Sequence, residues 1–314
     1  MNKIVFAFPG QGSQYAGMGK SVYENYKIAR ETFAEVDAAL GLQLSKIILG
    51  DNQEEITLTY NAQPGLMCVS IAILRVLEQE SGKKIEELCS LACGHSLGEY
   101  SALCAAGAVS LSDCAKILSI RGHAMNNAAP AGTGGMAAIL GASDEQVAEL
   151  LQKSLQNNEV LVIANDNSLG QTVISGSIEA INRSIEISKD LGIKRAVKLP
   201  VSGPFHSPLM QKAKEEMIIA LQDLQINVPK VPVIANFTAK ETQNPTEIRN
   251  LLAEQVTGAV KWRQSIMRIE ELGYENLVEI GAGKVLAGLT KRTSEKIQSK
   301  SLESIEDINS YLGR

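Results

Sequence analysis

Six mostly apolar residues, Leu88 to Cys93, run straight into Gly94-His95-Ser96-Leu97-Gly98, and a segment of helical spacing follows to about Ala106. No other feature constrains the chain as much. A short buried strand that passes directly into a helix belongs to a sheet whose next strand is reached by a crossover, which is the parallel arrangement. Gly94 and Gly98 flank the serine because a Cβ on either would crowd the turn. Gly-x-Ser-x-Gly in this setting is a nucleophile elbow. It stands a hydroxyl clear of the sheet at a helix N-terminus, where unpaired N–H groups face developing negative charge. The same pentapeptide can arise by accident in a chain with 26 glycines. The strand before it and the helix after it favour the functional reading, with Ser96 as candidate nucleophile.

The rest of the chain supplies the sheet. Ile4 to Phe8 is a short apolar strand that stops at Pro9-Gly10. Residues 21–40 have helical spacing, and residues 66–79, "LMCVSIAILRVLEQ", are apolar on almost every side, which predicts a deeply buried helix. Ser110 and Asp113 have capping-box spacing ahead of another helix. Strands alternating with helices argue for an α/β fold with a mostly parallel sheet covered on both faces. The middle changes character. After the small-residue linker "AAPAGTGG", the pattern predicts strand 135–140, helix 144–156, strand 160–164, strand 171–175, helix 178–191 and strand 194–199. That order is βαββαβ, the ferredoxin-like split unit. It reads as a small domain, 129–199, inserted in a larger one made of 1–128 and 200–314, where alternation resumes in "VPVIANF" and "NLVEIGAG".

Composition excludes some classes of partner. The formal net charge is −5, so no broad basic field exists to hold nucleic acid, and an anionic ligand or partner must be met by a local patch. The five cysteines, at 68, 89, 93, 104 and 114, lack paired spacing and sit in apolar surroundings, which predicts reduced core residues of a cytoplasmic protein. Only three histidines exist and none has ligand spacing to the cysteines, so no metal site is expected. The start, "MNKIVFAFPGQG", is too short an apolar run for a signal peptide, and no later stretch is expected to span a bilayer.

A serine nucleophile needs a base, and the choice is among His95, His123 and His206. His95 adjoins Ser96, and neighbours on such a turn point apart, so its role is read as structural. His123 lies two residues past Arg121 on a helix and reads as a capping or surface residue. His206 sits in the loop "PVSGPFHSPLM", just after the inserted segment. Loops on a rigid scaffold carry catalytic side chains, and elimination makes His206 the base. No histidine follows it, unlike the usual hydrolase order in which histidine comes late. A dyad oriented by a backbone carbonyl or an amide therefore competes with a triad.

Arg121 stands on the wrong face of its helix. Leu111, Cys114, Leu118 and Met125 form an apolar stripe, and Arg121 occupies its missing step. A cation there is costly unless something anionic meets it. Either an internal salt bridge answers it, or a planar fork waits for a substrate carboxylate. The glycines of "FPGQGSQYAGMGKS" invite two nucleotide-binding readings. Both fail on spacing, because Gln14 and Tyr15 stand where glycine is required. What remains is a glycine-rich turn that can bring Gln11 close to a reacting oxygen.

Taken together, Pro9-Gly10-Gln11-Gly12-Ser13-Gln14, Gly94-His95-Ser96-Leu97-Gly98, Arg121-Gly122, Pro204-Phe205-His206 and Gly281-x-Gly283-Lys284-Val285-Leu286 occur in the order found in malonyl-CoA:acyl carrier protein transacylases. The chain resembles that family over nearly its whole length. The resemblance implies an α/β-hydrolase-like core with an inserted ferredoxin-like domain. It also implies ping-pong transfer of malonyl from malonyl-CoA to the phosphopantetheine thiol of acyl carrier protein. No cofactor is expected, and the chain is expected to work as a monomer. Carried over, Ser96 is the acylated nucleophile, His206 its base, and Arg121 the partner of the malonyl carboxylate. The N–H groups of Gln11 and Leu97 form the oxyanion hole, and Gln255, in "AEQVTGAVKW", helps hold the dyad. Leu97 and Phe205 resemble the malonyl-selective versions. Leu169, where many members have proline, departs from the pattern in the small domain, away from the chemistry.

Since carrier proteins of this family's reaction are acidic, docking needs a local basic patch. The candidates are Lys194, Arg195 and Lys198, and then Lys284, Lys291 and Arg292. Three rival readings remain: a serine esterase with the same elbow, a non-catalytic carrier-docking module, and an acyltransferase serving a polyketide synthase. The buried arginine weighs against the first and the intact serine and histidine against the second. The third shares the chemistry and differs only in its carrier.

Overall fold

The computed structural model describes residues 3–130 and 132–314. Among the described residues ten strands appear in chain order: β1 (Ile4–Phe8), β2 (Leu91–Gly94), β3 (Gly134–Leu140), β4 (Leu161–Ser168), β5 (Gln171–Ser177), β6 (Arg195–Lys198), β7 (Val233–Ala235), β8 (Lys240–Thr242), β9 (Asn276–Ile280) and β10 (Gln298–Leu302). Six of them make one sheet in the order β10-β9-β1-β2-β7-β8, parallel except for β8 at one edge. The central strands carry few polar side chains because helices cover both faces. Val5 to Phe8 on β1 are wholly buried. The helix Thr59–Ser81 is buried along most of its length and packs against the helix Leu111–Asn127. Its predicted core at 66–79 thus extends by about two turns at the N-terminal side.

The remaining four strands form an antiparallel sheet, β4-β5-β3-β6. With the helices Asp144–Ser154 and Ile178–Asp190 between them, this is the βαββαβ order read from the sequence, in the strand arrangement of a ferredoxin-like unit. Ser143 and Gln146 close a capping box at the first of these helices, and Gln146 also donates to the Leu191 carbonyl. The fold is therefore α/β with a mostly parallel sheet and a second, antiparallel one.

Two local expectations are corrected. The helical run 21–40 is two helices, Lys20–Asn25 and Lys27–Leu40, because Tyr26 takes an extended conformation between them. The strand before the elbow begins at Leu91 rather than Leu88. Leu88 ends a short helix, Ile85–Leu88, whose start is held by the Glu87 carboxylate on the Lys84 N–H. Apolar runs of four to eight residues cannot be divided between strand and buried helix by pattern alone. Cys68, Cys89, Cys93 and Cys114 are buried, Cys104 is partly so, and none is in a disulfide. No described helix is long and apolar enough to cross a membrane.

Candidate active site

Ser96 lies between β2 and the helix Leu97–Ala105, with φ 53° and ψ −110°, a conformation unfavourable for a residue with a Cβ. Of the four non-glycine residues with positive φ among the described residues, Ser96 is one and His206, at φ 55°, is another. Asn236, just past β7, holds the first of these in place. Its Oδ1 accepts from Ser96 N at 2.6 Å and its Nδ2 donates to the Gly94 carbonyl at 2.6 Å. The flanking glycines are required by backbone contact. A Cβ on Gly94 would lie 1.9 Å from the Gly98 carbonyl oxygen, and one on Gly98 would lie 2.2 Å from that of Phe8. The crowding expected at the turn is thus chain against chain.

Of the three histidines, His206 is the one that meets the serine hydroxyl. His206 Nε2 is 2.8 Å from Ser96 Oγ. Its Nδ1 is 2.8 Å from the Gln255 carbonyl and 3.2 Å from that of Gly258. Two carbonyls on one side assign the proton to Nδ1 and leave the Nε2 lone pair for the serine hydroxyl. The imidazole is thus oriented by backbone carbonyls, and among the described residues no carboxylate bonds to it. Burial, and then the charge of Arg121, hold His206 down to about 3, so its imidazole is neutral and able to accept a proton at neutral pH.

Arg121 is 1% exposed. Nη1 donates to Gln63 Oε1 at 2.7 Å, and Nη2 donates to Ser96 Oγ at 3.0 Å and to Gln255 Oε1 at 2.9 Å. The ring of Tyr100 lies 5.5 Å from the guanidinium carbon. Three of its five N–H groups are used, each by an uncharged acceptor. Among the described residues no carboxylate lies within 4.0 Å of it. The internal salt bridge left open by the sequence is absent.

Gln255 sits behind the dyad, fully buried. Its Nε2 donates to Ser96 O at 3.1 Å and to Glu99 Oε2 at 2.6 Å. Glu99 Oε2 also accepts from Asn236 N at 2.9 Å. Burial pushes Glu99 up to about 7, against the pull of these donors and of Arg121.

A cavity of about 250 Å³ opens at the dyad, lined in part by Gln11, Ser96, Arg121 and His206. That is the liquid share of about eight waters at ~30 Å³ each, enough for a short acyl group. Met136 on β3, Val173 on β5, Leu199 and Phe205 form an apolar roof. The small sheet is fastened over the elbow. Asp166 N on β4 donates to Val260 O, and His95 Nε2 lies 2.8 Å from Asn167 Oδ1. His95 is thus pinned in the cavity wall, while His123 is exposed and stacks on Tyr60 at 4.6 Å. The turn carrying Gln11 meets the elbow directly, since a Cβ on Gly10 would lie 2.5 Å from the His95 carbonyl oxygen. Among the described residues the backbone N–H groups of Gln11 and Leu97 have no acceptor.

The structure therefore brings Ser96, His206, Arg121 and Gln255 together and sets Gln11 and Leu97 beside them. Sequence reading missed Glu99, Asn236 and Gln63. Glu99 carried a usable signal, an acid three residues past the serine in the otherwise apolar "LGEYSALCAA", which is the anomaly that exposed Arg121. Asn236 follows a strand at its C-terminal end, where sites of open α/β sheets collect. Gln63 had no distinguishing pattern in its all-round apolar helix.

Residues 5–310 match the model of the acyl transferase domain family. The chain is 42% identical to the malonyl CoA-acyl carrier protein transacylase of Bacillus subtilis over 98% of its length and 96% of that protein's. Identity to the protein of the same description from Salmonella typhimurium is 41%, over 99% of both chains. Among solved structures, an acyl-carrier-protein-S-malonyltransferase from Bartonella henselae superposes with a TM-score of 0.95 at 46% identity, covering 99% of this chain and 98% of that one. A malonyl-transacylase in complex with a type II PKS acyl-carrier protein superposes with a TM-score of 0.94 at 36% identity, over 99% of each chain.

Proposed function

The chain belongs to the acyl transferase domain family, and on that premise we propose that it moves malonyl from malonyl-CoA to the phosphopantetheine thiol of acyl carrier protein through a malonyl ester on Ser96, serving fatty acid synthesis. One observation carries this reading. The hydroxyl of Ser96 touches a neutral, buried imidazole on one side and a buried guanidinium without a carboxylate partner on the other. The first makes a nucleophile and the second selects an acyl group that ends in an anion.

The steps follow from the geometry. The malonyl carboxylate pairs with Arg121, and the thioester carbonyl oxygen faces the N–H groups of Gln11 and Leu97. Ser96 Oγ attacks the carbonyl carbon as its proton passes to His206 Nε2. The carbon–sulfur bond breaks, and the coenzyme A sulfur leaves with that proton. In the second half the carrier thiol gives its proton to His206, attacks the ester, and Ser96 Oγ recovers the proton as it departs. The Gln255 and Gly258 carbonyls orient the imidazole throughout. The apolar roof of the 129–199 segment, which we read as an inserted domain, keeps water from the ester. The single test is the fate of the acyl group: malonyl-CoA with holo carrier should give malonyl-carrier, and predominant release of free malonate would identify an esterase instead. Running fatty acid and polyketide carriers side by side separates the two pathways.

Arg121→Ala should lose malonyl transfer while acetyl transfer is kept or raised, measured as acylation by the two coenzyme A esters. Arg121→Lys should recover only part, since an ammonium offers no two-point fork. Equal loss of both acyl groups with lowered thermal stability would return Arg121 to a structural role.

The carrier surface is read from two basic clusters that the small sheet joins. Arg195 on β6 pairs with Leu140 on β3, Leu140 pairs with Gln171 on β5, and Gln171 Oε1 accepts from Arg292 Nη1 at 2.5 Å. Lys284 and Lys291 border a groove beside β10. Among the described residues none of Lys194, Arg195, Lys198, Lys284, Lys291 and Arg292 is in an ion pair. Reversing Lys194, Arg195, Lys291 and Arg292 to glutamate should raise the KM for carrier protein several-fold and flatten its salt dependence, with acylation by malonyl-CoA unchanged. Unaltered carrier kinetics at low salt would place docking elsewhere. The unpaired cysteines support a cytoplasmic setting, and we read the working unit as a monomer.

A further inference from the structure

Arg121, a cation, and Glu99, an acid that burial leaves about half ionised at neutral pH, are both buried, and among the described residues no ion pair within 4.0 Å joins them. A single amide separates them. Gln255 Oε1 accepts from Arg121 Nη2 at 2.9 Å, and Gln255 Nε2 donates to Glu99 Oε2 at 2.6 Å. The amide has only one workable orientation. Arginine can only donate, so the oxygen must face it; the Glu99 oxygen already accepts from Asn236 N, so the NH2 must face that. A turned amide would set N–H against N–H and oxygen against oxygen. Without the spacer, a buried guanidinium and carboxylate this near would attract strongly, because little solvent screens them. A closed pair would occupy the fork that a substrate carboxylate needs.

We propose that Gln255, locked in orientation by Glu99, is a spacer that keeps Arg121 from closing on Glu99, so that the guanidinium stays available to acyl groups ending in a carboxylate. Glu99 is the positioning residue of this device: it fixes the amide, and the amide fixes the fork. The inference rests on reading Arg121 as the carboxylate clamp. It differs from a simple packing role for Gln255 in one respect, which is that damage from removing the spacer is repaired by neutralising Glu99.

A double-mutant cycle tests it, with acylation by malonyl-CoA and acetyl-CoA measured as separate kcat and KM on variants of checked thermal stability. Gln255→Ala keeps the backbone carbonyl that holds His206 and lets the charges meet. It should raise the KM for malonyl-CoA at least ten-fold more than that for acetyl-CoA; loss of the amide's bond to Ser96 O alone would affect both acyl groups alike and leave that ratio unmoved. Glu99→Gln, whose amide oxygen can accept both hydrogen bonds, should stay within about three-fold of wild type for malonyl. The double variant Glu99→Gln/Gln255→Ala should recover most of the malonyl KM. A double variant as poor as Gln255→Ala or poorer, or equal losses for both acyl groups in Gln255→Ala, would overturn the spacer. If Gln255→Ala does not fold, Gln255→Asn, one methylene too short to span the gap, enters the same cycle with the same outcomes. Arg121→Ala in parallel keeps the two claims apart, since an unchanged malonyl KM there would defeat the clamp reading whatever the cycle shows.

Discussion

Ser96→Ala should take up no acyl group from malonyl-CoA, whereas the wild-type chain should gain the mass of one malonyl, read by intact mass spectrometry. This is the largest effect expected at the site, because it removes the only atom on which the intermediate can form. The hydroxyl is within 2.8 Å of His206 Nε2 and 3.0 Å of Arg121 Nη2, and among the described residues that line the cavity there is no cysteine and no second serine. The substitution should fold. The Ser96 backbone is held through its N–H to Asn236 and its carbonyl to Gln255, and neither bond uses the side chain. Alanine at φ 53° is strained, as serine is, so the stability change should be small. Stable labelling of Ser96→Ala would sink the assignment of the nucleophile.

His206→Ala should slow acylation by roughly 10²–10⁴-fold, the usual worth of a general base, in single-turnover measurements. His95→Ala and His123→Ala should act mainly on stability. The base also sets the pH profile. Its folded value, about 3, lies below the ordinary 6.5 because of burial first and the Arg121 charge second. Acylation by acetyl-CoA, which brings no carboxylate, should therefore hold its rate as pH falls through 6.5 and decline only as about 3 is approached. Removing the guanidinium in Arg121→Ala should move that decline upward, though not to 6.5, since burial remains. The same depression has a stability consequence. Between 6.5 and about 3 the unfolded chain binds a proton that the folded chain refuses, so this group's contribution is present above 6.5 and lost as pH falls. An acid limb near 6.5 in the wild type, or an active His206→Ala beside an inactive His123→Ala, would show that the base is misassigned.

Much of this site was legible in the sequence because its parts break local rules. A glycine-flanked serine after a buried strand, a histidine that no other could replace, and a cation on an apolar stripe each conflict with simple packing, and conflict marks function. The βαββαβ order was legible for a different reason: all of its elements except the four-residue β6 are long enough for their period to show. What stayed hidden was relational. Gln63, Glu99 and Asn236 are ordinary residues whose meaning is the partner they meet, and those partners lie up to 156 residues away. Nor could the pattern show that Arg121 lacks an internal carboxylate, since Glu99 stands near in the fold and is held off by an amide. The early break at Tyr26 and the late start of β2 were lost because segments of four to six residues hold too few turns of either period.

The seat that Asn236 provides for Ser96 has a further consequence, for synthesis of the chain. Ser96 emerges from the ribosome early, yet its base lies 110 residues later, its backbone brace 140 and its amide support 159. Contacts so far apart in sequence close late in folding, after the intervening loop has been gathered in. A growing chain therefore displays the elbow segment with neither the imidazole nor the carboxamide that shape it. On that order of arrival the hydroxyl should remain an ordinary alcohol until Asn236 and Gln255 have been made, and chains cut short before them should take up no acyl group from malonyl-CoA.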